Sequence, residues 1–503
     1  MVQLPLFSLA VIFLLLINSC REPYSETRYY PHLDSPKPLP GSEKEAASFI
    51  RGDFIAEPGF SSHLPLVVLD TKGVELTRSL GILERVELSV IDRGLGNNKL
   101  SDDPVYSSFI RISAKGGAEN RKGFFTFTLT DNAGIEKAMP LLGMDSGSDW
   151  VLAGSLRDRS LMRNYLAYCL AAELSPETPN LRFCEVFFKE GENYKYQGVF
   201  LLNEEVRQAA GRGKFLSGKG INYIILRDSK NNDGHPLNTW GYRQGIVDGR
   251  LSVVYPKDNQ GSRSIEAAIE KAEKIIYSEE HKVFTKYSDI IDIKSFIDYY
   301  VLSEFLQNYN AGLDSTYMYV NSRGKIKMAL VWDNDCILGN NYSESFDPLE
   351  ITVQNAPFYE QLTRDVNFLN QLKRRYSELR RTILAENEVI RLIDETASYL
   401  GPAQIRDWKR WANEYALERS YPLFNLPDSE GVIIRKNTET FDQELIKMKY
   451  LTVLHATILG DSIHRMSWKL NLFDSSYNTR ASTFLLVLFC LLYVAAVRIG
   501  RYH

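Results

Sequence analysis

The hydrophobic pattern of this chain changes its period near residue 260, and that change limits the folds that the sequence can adopt. From residue 62 to about 255, short runs of alternating apolar and polar residues are separated by turn residues, as in RVELSVIDRG. From residue 264 onward, apolar residues recur at helical spacing, as in IEAAIEKAEKIIY. Alternation indicates strands, and a 3.6-residue period indicates helices. We therefore expect an α+β fold with a β-rich N-terminal half, an α-rich C-terminal half and a cleft between two lobes.

Composition excludes several classes of protein. The 503 residues carry a net charge of −4, so there is no strong basic field to hold nucleic acid phosphates, and we expect no nucleic acid partner. The five cysteines are scattered, and no pair has the short spacing of a zinc site or of a disulfide framework. The body of the chain is therefore predicted to be an ordinary soluble fold.

The N-terminal segment is typical of export. An apolar run at residues 4–17 precedes Asn18, Ser19 and Cys20, which predicts a signal peptide over residues 1–19. The string INSC resembles a bacterial lipobox, in which the cysteine, here Cys20, is lipidated and becomes the mature N-terminus. An ordinary cleaved signal or an uncleaved anchor are the alternatives. Residues 20–58 are polar and contain prolines, as in an extended tether.

The C-terminal segment is predicted to enter a membrane. Residues 481–497 are apolar and lie between Arg480 and Arg498. As a helix this stretch is about 25 Å long, against a hydrocarbon core of about 30 Å. The alternative is a buried C-terminal helix. Together the two ends predict an exported protein of the cell envelope that is anchored to a membrane.

The segment at residues 308–340 carries the clearest chemical signal. A helix end and a polar loop precede a predicted hairpin, whose second strand is apolar until it stops at WDND. Asp333 and Asp335 would face opposite sides of a regular strand, so both reach one ion only if the chain bends after Asp333. Magnesium binds carboxylate oxygens together with substrate phosphates. Protein kinases order their catalytic loop and metal site in this way; the alternative is a polar turn that closes a hairpin.

Several segments together resemble the CotH kinases, the spore-coat protein H family. They are LPLVVLDTKG, DWVLAGSLRDRSLMRNYLAY, EVFFKEGENYKYQGVFLLNEEV, the 308–340 segment and FYEQLTRDVNFLNQLKRRYSELR, and the resemblance covers residues 61–463. It implies a two-lobed atypical protein kinase fold, with a β-rich lobe at 59–258 and an α-rich lobe at 259–470. It also implies transfer of phosphate from ATP to Ser or Thr hydroxyls of proteins, with Mg²⁺ or Mn²⁺.

Site residues follow from the resemblance by position. Lys122 matches a lysine of a basic strand and is a candidate for neutralising nucleotide phosphates, although a solvated strand lysine is the alternative. Glu204 matches a glutamate after a strand, where it pairs with Lys122 or holds metal. Asp333 and Asp335 match the metal-binding acids of a WDxD turn. A phosphate loop at 213–220, GKFLSGKG, is not expected to function, because Gly220 stands where Ser or Thr must bind magnesium.

The chain departs from the family at the catalytic loop. The family's catalytic aspartate falls on Asn310, whose amide cannot accept a proton from the substrate hydroxyl, while Asp314 lies four residues later. Either the loop has slipped so that Asp314 serves as the base, or the base is absent. A second departure is the run from Ala114, where Lys115 replaces an arginine and Ala118 a serine. Arg406, in a tail helix, either reaches the cleft or is structural.

Three hypotheses follow. The first is a membrane-tethered kinase of surface or envelope proteins. The second is a pseudokinase that acts as an envelope scaffold, which Asn310 favours. The third is a structural surface protein that keeps only the fold.

Overall fold

The computed structural model describes residues 35–38 and most of residues 52–473. The gaps within the second range lie at 53, 58, 75, 77–80, 95, 116–121, 213–221, 229–233, 257–261, 322–323, 331–332, 341–346, 348, 418–421 and 426–432. The predicted signal peptide, Cys20, the phosphate-loop-like segment at 213–220 and the apolar stretch at 481–497 lie outside the described residues. Within the described ranges, no helix combines the length and the apolar character needed to cross a bilayer.

Most of the N-terminal half is a closed, seven-stranded β-barrel. The strands between residues 61 and 204 are β1 (Ser61–Ser62), β2 (Leu66–Asp70), β3 (Ile82–Ile91), β4 (Asn98–Lys99), β5 (Tyr106–Lys115), β6 (Phe124–Thr130), β7 (Asp149–Ala153), β8 (Leu181–Glu190) and β9 (Asn193–Glu204). The barrel order is β2-β3-β5-β6-β7-β9-β8, and β1 pairs separately with β4. Only β2 and β8 run parallel.

The alternating pattern of the sequence accounts for the barrel. Successive side chains of a strand point to opposite faces. In a strand that alternates apolar and polar residues, the apolar side chains therefore all face the interior of the barrel. Val67, Leu88, Ile110, Phe125 and Trp150, from five different strands, pack into one buried cluster. Burial of large side chains of this kind stabilises a fold by roughly 1.5–3 kcal/mol each.

A second sheet of five strands follows the barrel. Its strands are β10 (Asn222–Arg227), β11 (His235–Pro236), β12 (Leu251–Tyr255), β13 (Thr316–Asn321) and β14 (Ile326–Met328), in the order β11-β12-β10-β13-β14. The sheet is antiparallel throughout. It draws strands from both sides of residue 258, and the division into lobes at 258/259 stays a prediction.

Helices dominate the C-terminal half. The helices, of which α1 to α3 belong to the N-terminal half, are α1 (Arg163–Ala172), α2 (Val206–Arg212), α3 (Trp240–Arg243), α4 (Ser262–Ile276), α5 (His281–Phe284), α6 (Tyr287–Ile290), α7 (Ile293–Phe305), α8 (Tyr359–Leu362), α9 (Val366–Leu379), α10 (Glu386–Leu417) and α11 (Phe441–Phe473). Helix α7 is buried on all sides from Ser295 to Phe305 and packs against β14, α9 and α11. Helix α10 kinks at Gly401 and Pro402, where the proline ring cannot fit a regular helix.

The predicted mixed α+β class is confirmed, with strands first and helices toward the C-terminus. Helix α1 begins at Arg163, and Asp158 before it accepts hydrogen bonds from the backbone N–H groups of Ser160 and Arg163. One local prediction was wrong. The apolar strand expected to run to WDND ends at Met328, five residues before Asp333.

Candidate active site

Asp333 and Asp335 open a turn, residues 333–340, that we call the acid turn. The backbone of Asp333 has a φ of 51°, in the left-handed region that few non-glycine residues adopt. This is the bend that a pair of acids two residues apart requires if both are to serve one site. Ser155 donates from its hydroxyl to Asp335 Oδ2 over 2.8 Å, which fixes the second acid against the loop at residues 154–162.

The loop at 154–162, which we call the entry loop, is joined to the acid turn by a second contact. The Nδ2 atom of Asn340 donates to the carbonyl oxygens of Asp335, at 2.6 Å, and of Arg157, at 3.1 Å. One side chain thus ties the two segments together. The entry loop comes from the end of barrel strand β7, so the barrel positions one wall of the site.

Asp333 lines a cleft of the site and has a raised pKa. The residue as a whole is exposed to solvent, but its surroundings raise the pKa of its carboxyl group to about 7. The largest cause is loss of hydration to the surrounding protein, and the negative charges of Asp335 and Asp228 add to it; Arg157 acts in the opposite direction. A carboxylate in this environment is stabilised by any cation that binds beside it.

A buried ionic network supports the acid turn from within the protein. Arg163 on α1 donates to the carbonyl oxygens of Ile337, at 2.7 Å, and Leu338, at 3.1 Å. The same guanidinium pairs with Asp158, at 2.8 Å, and with Glu444 of α11, at 2.6 Å. Five donors in a planar fork allow one arginine to make all of these contacts. The acid turn is therefore held between α1 and α11.

Glu444 is ionised within this network. Burial acts to raise its pKa, but the charges of Lys447 and Arg163 outweigh burial and lower the pKa to about 2. Lys447 lies 2.9 Å from it. The network thus keeps its charges paired inside the protein, as buried charges require.

The loop at 308–316 forms the opposite wall of the site. Asn310 accepts hydrogen bonds at its carbonyl oxygen from the backbone N–H groups of Leu313 and Asp314. This compact turn brings the fourth residue after Asn310 back toward the acid turn. The side-chain Nδ2 of Asn310 donates to Cys336 Sγ, in the acid turn, over 3.7 Å.

A small cleft lies between these walls. We call it the acid cleft. The structure brings three of the predicted site residues together there, Asn310, Asp314 and Asp333. The polar residues that line it are Tyr299, Asn308, Asn310, Asp314, Ser315, Tyr317, Asp333 and Asn334.

Lys122 lies in a second cleft, next to the first. Its Nζ donates to Asp407 Oδ2 over 2.6 Å, and both side chains are almost fully buried. The backbone N–H of Val199 donates to the same oxygen at 2.7 Å. We call this cleft, lined by Lys122, Ser155, Asp158, Asn164 and Phe200 among others, the lysine cleft. It adjoins the acid turn, because Ser155 binds Asp335 and Asn164 accepts from the backbone N–H of Asn334.

Glycine is required beside the Lys122–Asp407 pair. Gly198 has a φ of 107°, and a Cβ atom at this position would lie 2.3 Å from Asp407 Oδ2. The close approach of β9 to α10 therefore depends on the absence of a side chain.

Glu204 does not pair with Lys122, contrary to one of the two roles considered for it. Lys122 packs over the ring of Phe200, while Glu204 lies four residues further along β9, or about 13 Å. Its carboxylate instead accepts from the backbone N–H groups of Asn180, at 2.8 Å, and Asp145, at 3.2 Å. Asp407, which the sequence did not single out, is the partner of Lys122.

Arg406 is buried in a bidentate ion pair with Glu185, at 2.7 and 2.8 Å. The structural alternative therefore describes this residue. Lys115 ends strand β5, while Ala118 lies outside the described residues.

Two further charged residues near the acids were missed. Asp228 directly follows strand β10, and Arg157 lies in the entry loop. A carboxylate at the end of a buried strand is the same signal that identified Asp333, so NYIILRD offered a way to find Asp228. Arg157 lies in a loop whose neighbours no spacing rule predicts.

The described residues contain no group of three or more His, Cys, Asp or Glu side chains arranged to hold a metal ion on their own. The donors that are present, Asp333 and Asp335, are hard oxygen ligands. They fit a magnesium ion that completes its coordination with water and substrate phosphates rather than with protein groups alone.

Comparison with known proteins places these features in a family. A family model described as CotH kinase protein matches residues 112–449, about two thirds of the chain. The matched region includes Lys122, Asn310, Asp314 and both acids of the acid turn. The chain matches no curated protein.

Proposed function

The chain belongs to the CotH kinase protein family, and on that premise we propose that it transfers the γ-phosphoryl group of ATP to a protein hydroxyl. A kinase-like function follows from the family. The acceptor, the cofactors and the roles of individual residues are parts of the proposal. The observation that carries it is the acid cleft, where Asp314 and Asp333 line one space.

The proposed reaction needs a base and a place for the phosphoryl group. The oxygen of a Ser or Thr hydroxyl attacks the γ-phosphorus, and the bond from that phosphorus to the bridging oxygen breaks, so that ADP leaves. The proton of the hydroxyl passes to the carboxylate of Asp314. Asn310 cannot take this proton, because an amide nitrogen has no basic lone pair. Phosphoryl transfer depends mainly on positioning and charge stabilisation, which a cleft between two fixed walls supplies.

Asp333 and Asp335 are the residues that would hold Mg²⁺ or Mn²⁺. When bound, the ion neutralises charge on the phosphates. The raised pKa of Asp333 supports this assignment, since crowding with Asp335 and Asp228 makes the site favourable for a cation. Lys122 is proposed to contribute positive charge on the nucleotide side, held in position by Asp407.

The acceptors proposed are Ser or Thr residues of surface or envelope proteins. Export by the segment at 1–19, lipidation at Cys20 and anchoring through residues 481–497 belong to the same proposal. These features would bring the kinase to proteins of the cell envelope.

One observation favours a second candidate, a pseudokinase that acts as an envelope scaffold. The catalytic-loop position holds Asn310, and its side-chain amide is engaged near Cys336. In this alternative the protein binds nucleotide or a partner without transferring phosphate.

Measurement of phosphate transfer by the full chain distinguishes the kinase from the pseudokinase. We would incubate it with ATP labelled in the γ-phosphoryl group, a mixed protein acceptor, and Mg²⁺ or Mn²⁺, and compare wild type with Asp333→Ala. Asp289→Ala, which removes an exposed carboxylate on α6, is the matched control. Metal-dependent transfer that is lost in Asp333→Ala and kept in the control supports the kinase. Nucleotide-dependent thermal stabilisation without transfer supports the pseudokinase. The absence of both transfer and stabilisation would contradict both candidate functions.

A further inference from the structure

Asn334, between the two acids of the acid turn, has one polar group without a partner. Its side chain is 3% exposed and lines the acid cleft. Within the part of the chain that the structure describes, its Nδ2 atom has no hydrogen-bond partner and no contact with solvent. Buried amide groups are almost always hydrogen-bonded, so an exception inside a cleft needs an explanation.

The rest of Asn334 is firmly held. Its backbone N–H donates to Asn164 Oδ1 over 2.6 Å, and its Oδ1 accepts from Asn308 Nδ2 over 3.1 Å. Three asparagines thus connect α1, the acid turn and the 308–316 loop. Both contacts fix the position of the amide, and only the NH₂ group remains uncommitted.

The orientation of the amide follows from its neighbours. Asn308 accepts the backbone N–H of Asn310 at its Oδ1, at 3.2 Å, so the NH₂ group of Asn308 must face Asn334. Asn334 therefore presents its oxygen to Asn308. If the Asn334 amide were reversed, its NH₂ group would face the NH₂ group of Asn308. If the Asn308 amide were reversed, its NH₂ group would face the backbone N–H of Asn310.

The uncommitted donor requires an acceptor that enters the cleft. A donor sealed from water and lacking a partner destabilises the protein, and a ligand oxygen removes that penalty. In the proposed reaction the γ-phosphoryl group would lie beside Asp333 and Asp335, and hence beside the residue between them. Its non-bridging oxygens are anionic, and hydrogen bonds to anions are about twice as strong as neutral ones.

We propose that Asn334 is a further catalytic residue, whose Nδ2 donates a hydrogen bond to a non-bridging oxygen of the γ-phosphoryl group. This inference rests on the proposed kinase function. A donor fixed in advance and aimed at developing negative charge stabilises a transition state without reorganisation.

Relative affinity for two nucleotides tests the inference on the full chain. We would measure dissociation constants with Mg²⁺ for ADP and for a non-hydrolysable ATP analogue. Asn334→Asp keeps the oxygen that accepts from Asn308 and replaces the NH₂ donor with a negatively charged oxygen. Asn334→Ser removes the amide without adding charge, and serves if the first variant does not fold. We expect both to weaken binding of the ATP analogue by about tenfold or more relative to ADP.

Asn367→Asp is the matched control, because it adds the same charge at an exposed position of α9 that lines neither cleft. It should change the two affinities by the same factor. An unchanged affinity ratio in both Asn334 variants, with wild type binding both nucleotides, overturns the role of Asn334 alone. If wild type binds neither nucleotide, the proposed function fails and the inference with it.

Discussion

Asn310 and Asp314 are the residues on which the distinction between kinase and pseudokinase depends. The family resemblance implies an acid at position 310, and this chain has an amide there. Asp314, four residues later, lines the same cleft as Asp333. The backbone N–H of Asp314 donates to the carbonyl oxygen of Asn310, so the two residues lie close together. This turn is what allows Asp314 to take the role of the base in place of residue 310.

We predict that Asp314→Asn lowers the rate of phosphoryl transfer by about 10²- to 10⁴-fold, the usual effect of losing a general base. The substitution keeps the size of the side chain, so binding of nucleotide should change little. Rates of transfer from labelled ATP at saturating nucleotide measure the effect. A gain of activity in Asn310→Asp, together with no loss in Asp314→Asn, would show that position 310 rather than 314 is the base site.

A second residue-scale prediction concerns stability in acid. His63 is buried, and its Nε2 lies 2.6 Å from the carbonyl oxygen of Tyr399. Burial lowers its pKa to about 4; Glu185 and the Tyr399 contact act to raise it, while Arg406 lowers it further. Because the folded pKa is below the ordinary value, His63 adds stability above pH 6.5 that is lost as pH falls toward 4.

The size of this effect is up to about 3 kcal/mol. His63→Gln keeps an N–H donor for Tyr399 without a titrating ring. Urea denaturation of both proteins between pH 7 and 4 should show that wild type loses more free energy of unfolding than the variant. Parallel pH profiles for the two proteins would mean that His63 does not titrate as the structure indicates.

At the scale of elements, two buried ion pairs join the barrel to helix α10. Lys122 binds Asp407, and Glu185 of β8 binds Arg406. Neighbouring residues of one helix therefore form ion pairs with two different parts of the barrel, and Gly198 allows the close approach. These contacts fix the lysine cleft relative to the acid turn.

We predict strong coupling between Lys122 and Asp407. Lys122→Met alone leaves a buried carboxylate unpaired and should destabilise the protein by about 3–5 kcal/mol. In Lys122→Met/Asp407→Asn the remaining amide still accepts from Val199, so the double variant should be more stable than the sum of the single changes implies. Free energies of unfolding from denaturant titrations test this, and additive effects would contradict a direct pair.

Sequence patterns predicted the elements better than their contacts. Alternation identified the barrel strands and helical spacing identified the helices, because both depend on local periodicity. The partner of Lys122 was not predictable, since Asp407 lies 285 residues away and only the packing of α10 on β9 brings it near. Asn334 was missed for the same reason: its unsatisfied amide exists only because three distant segments meet.

At the scale of the whole molecule, the acid turn lies where three parts of the chain converge. The entry loop of the barrel, the 308–316 loop and helix α11, through Arg163 and Glu444, all contact it or its supports. The family resemblance predicted this segment as the site, and the family itself is confirmed over residues 112–449. The predicted lipidation, membrane segment and lobe boundary stay predictions.

The acid turn offers two carboxylates, Asp333 and Asp335, which are too few to hold a metal ion by themselves. We therefore predict that metal and nucleotide bind together. With no larger cluster of ligands in the described residues, Mg²⁺ alone should shift the melting temperature little. Mg²⁺ with ATP analogue should stabilise the chain by about 2.7 kcal/mol at a ligand concentration 100 times the dissociation constant. Thermal denaturation with each ligand alone and with both measures this. An equal shift with metal alone would require a complete protein-made metal site.

The most direct test of the account is to locate the metal ion. We would crystallise the full chain with Mn²⁺ and a non-hydrolysable ATP analogue and map the anomalous scattering of manganese. The account predicts a peak that carboxylate oxygens of both Asp333 and Asp335 coordinate, at about 2.0–2.2 Å, with phosphate oxygens completing the shell. Nucleotide and manganese bound together elsewhere, with the acid turn making no contact to either, would contradict it.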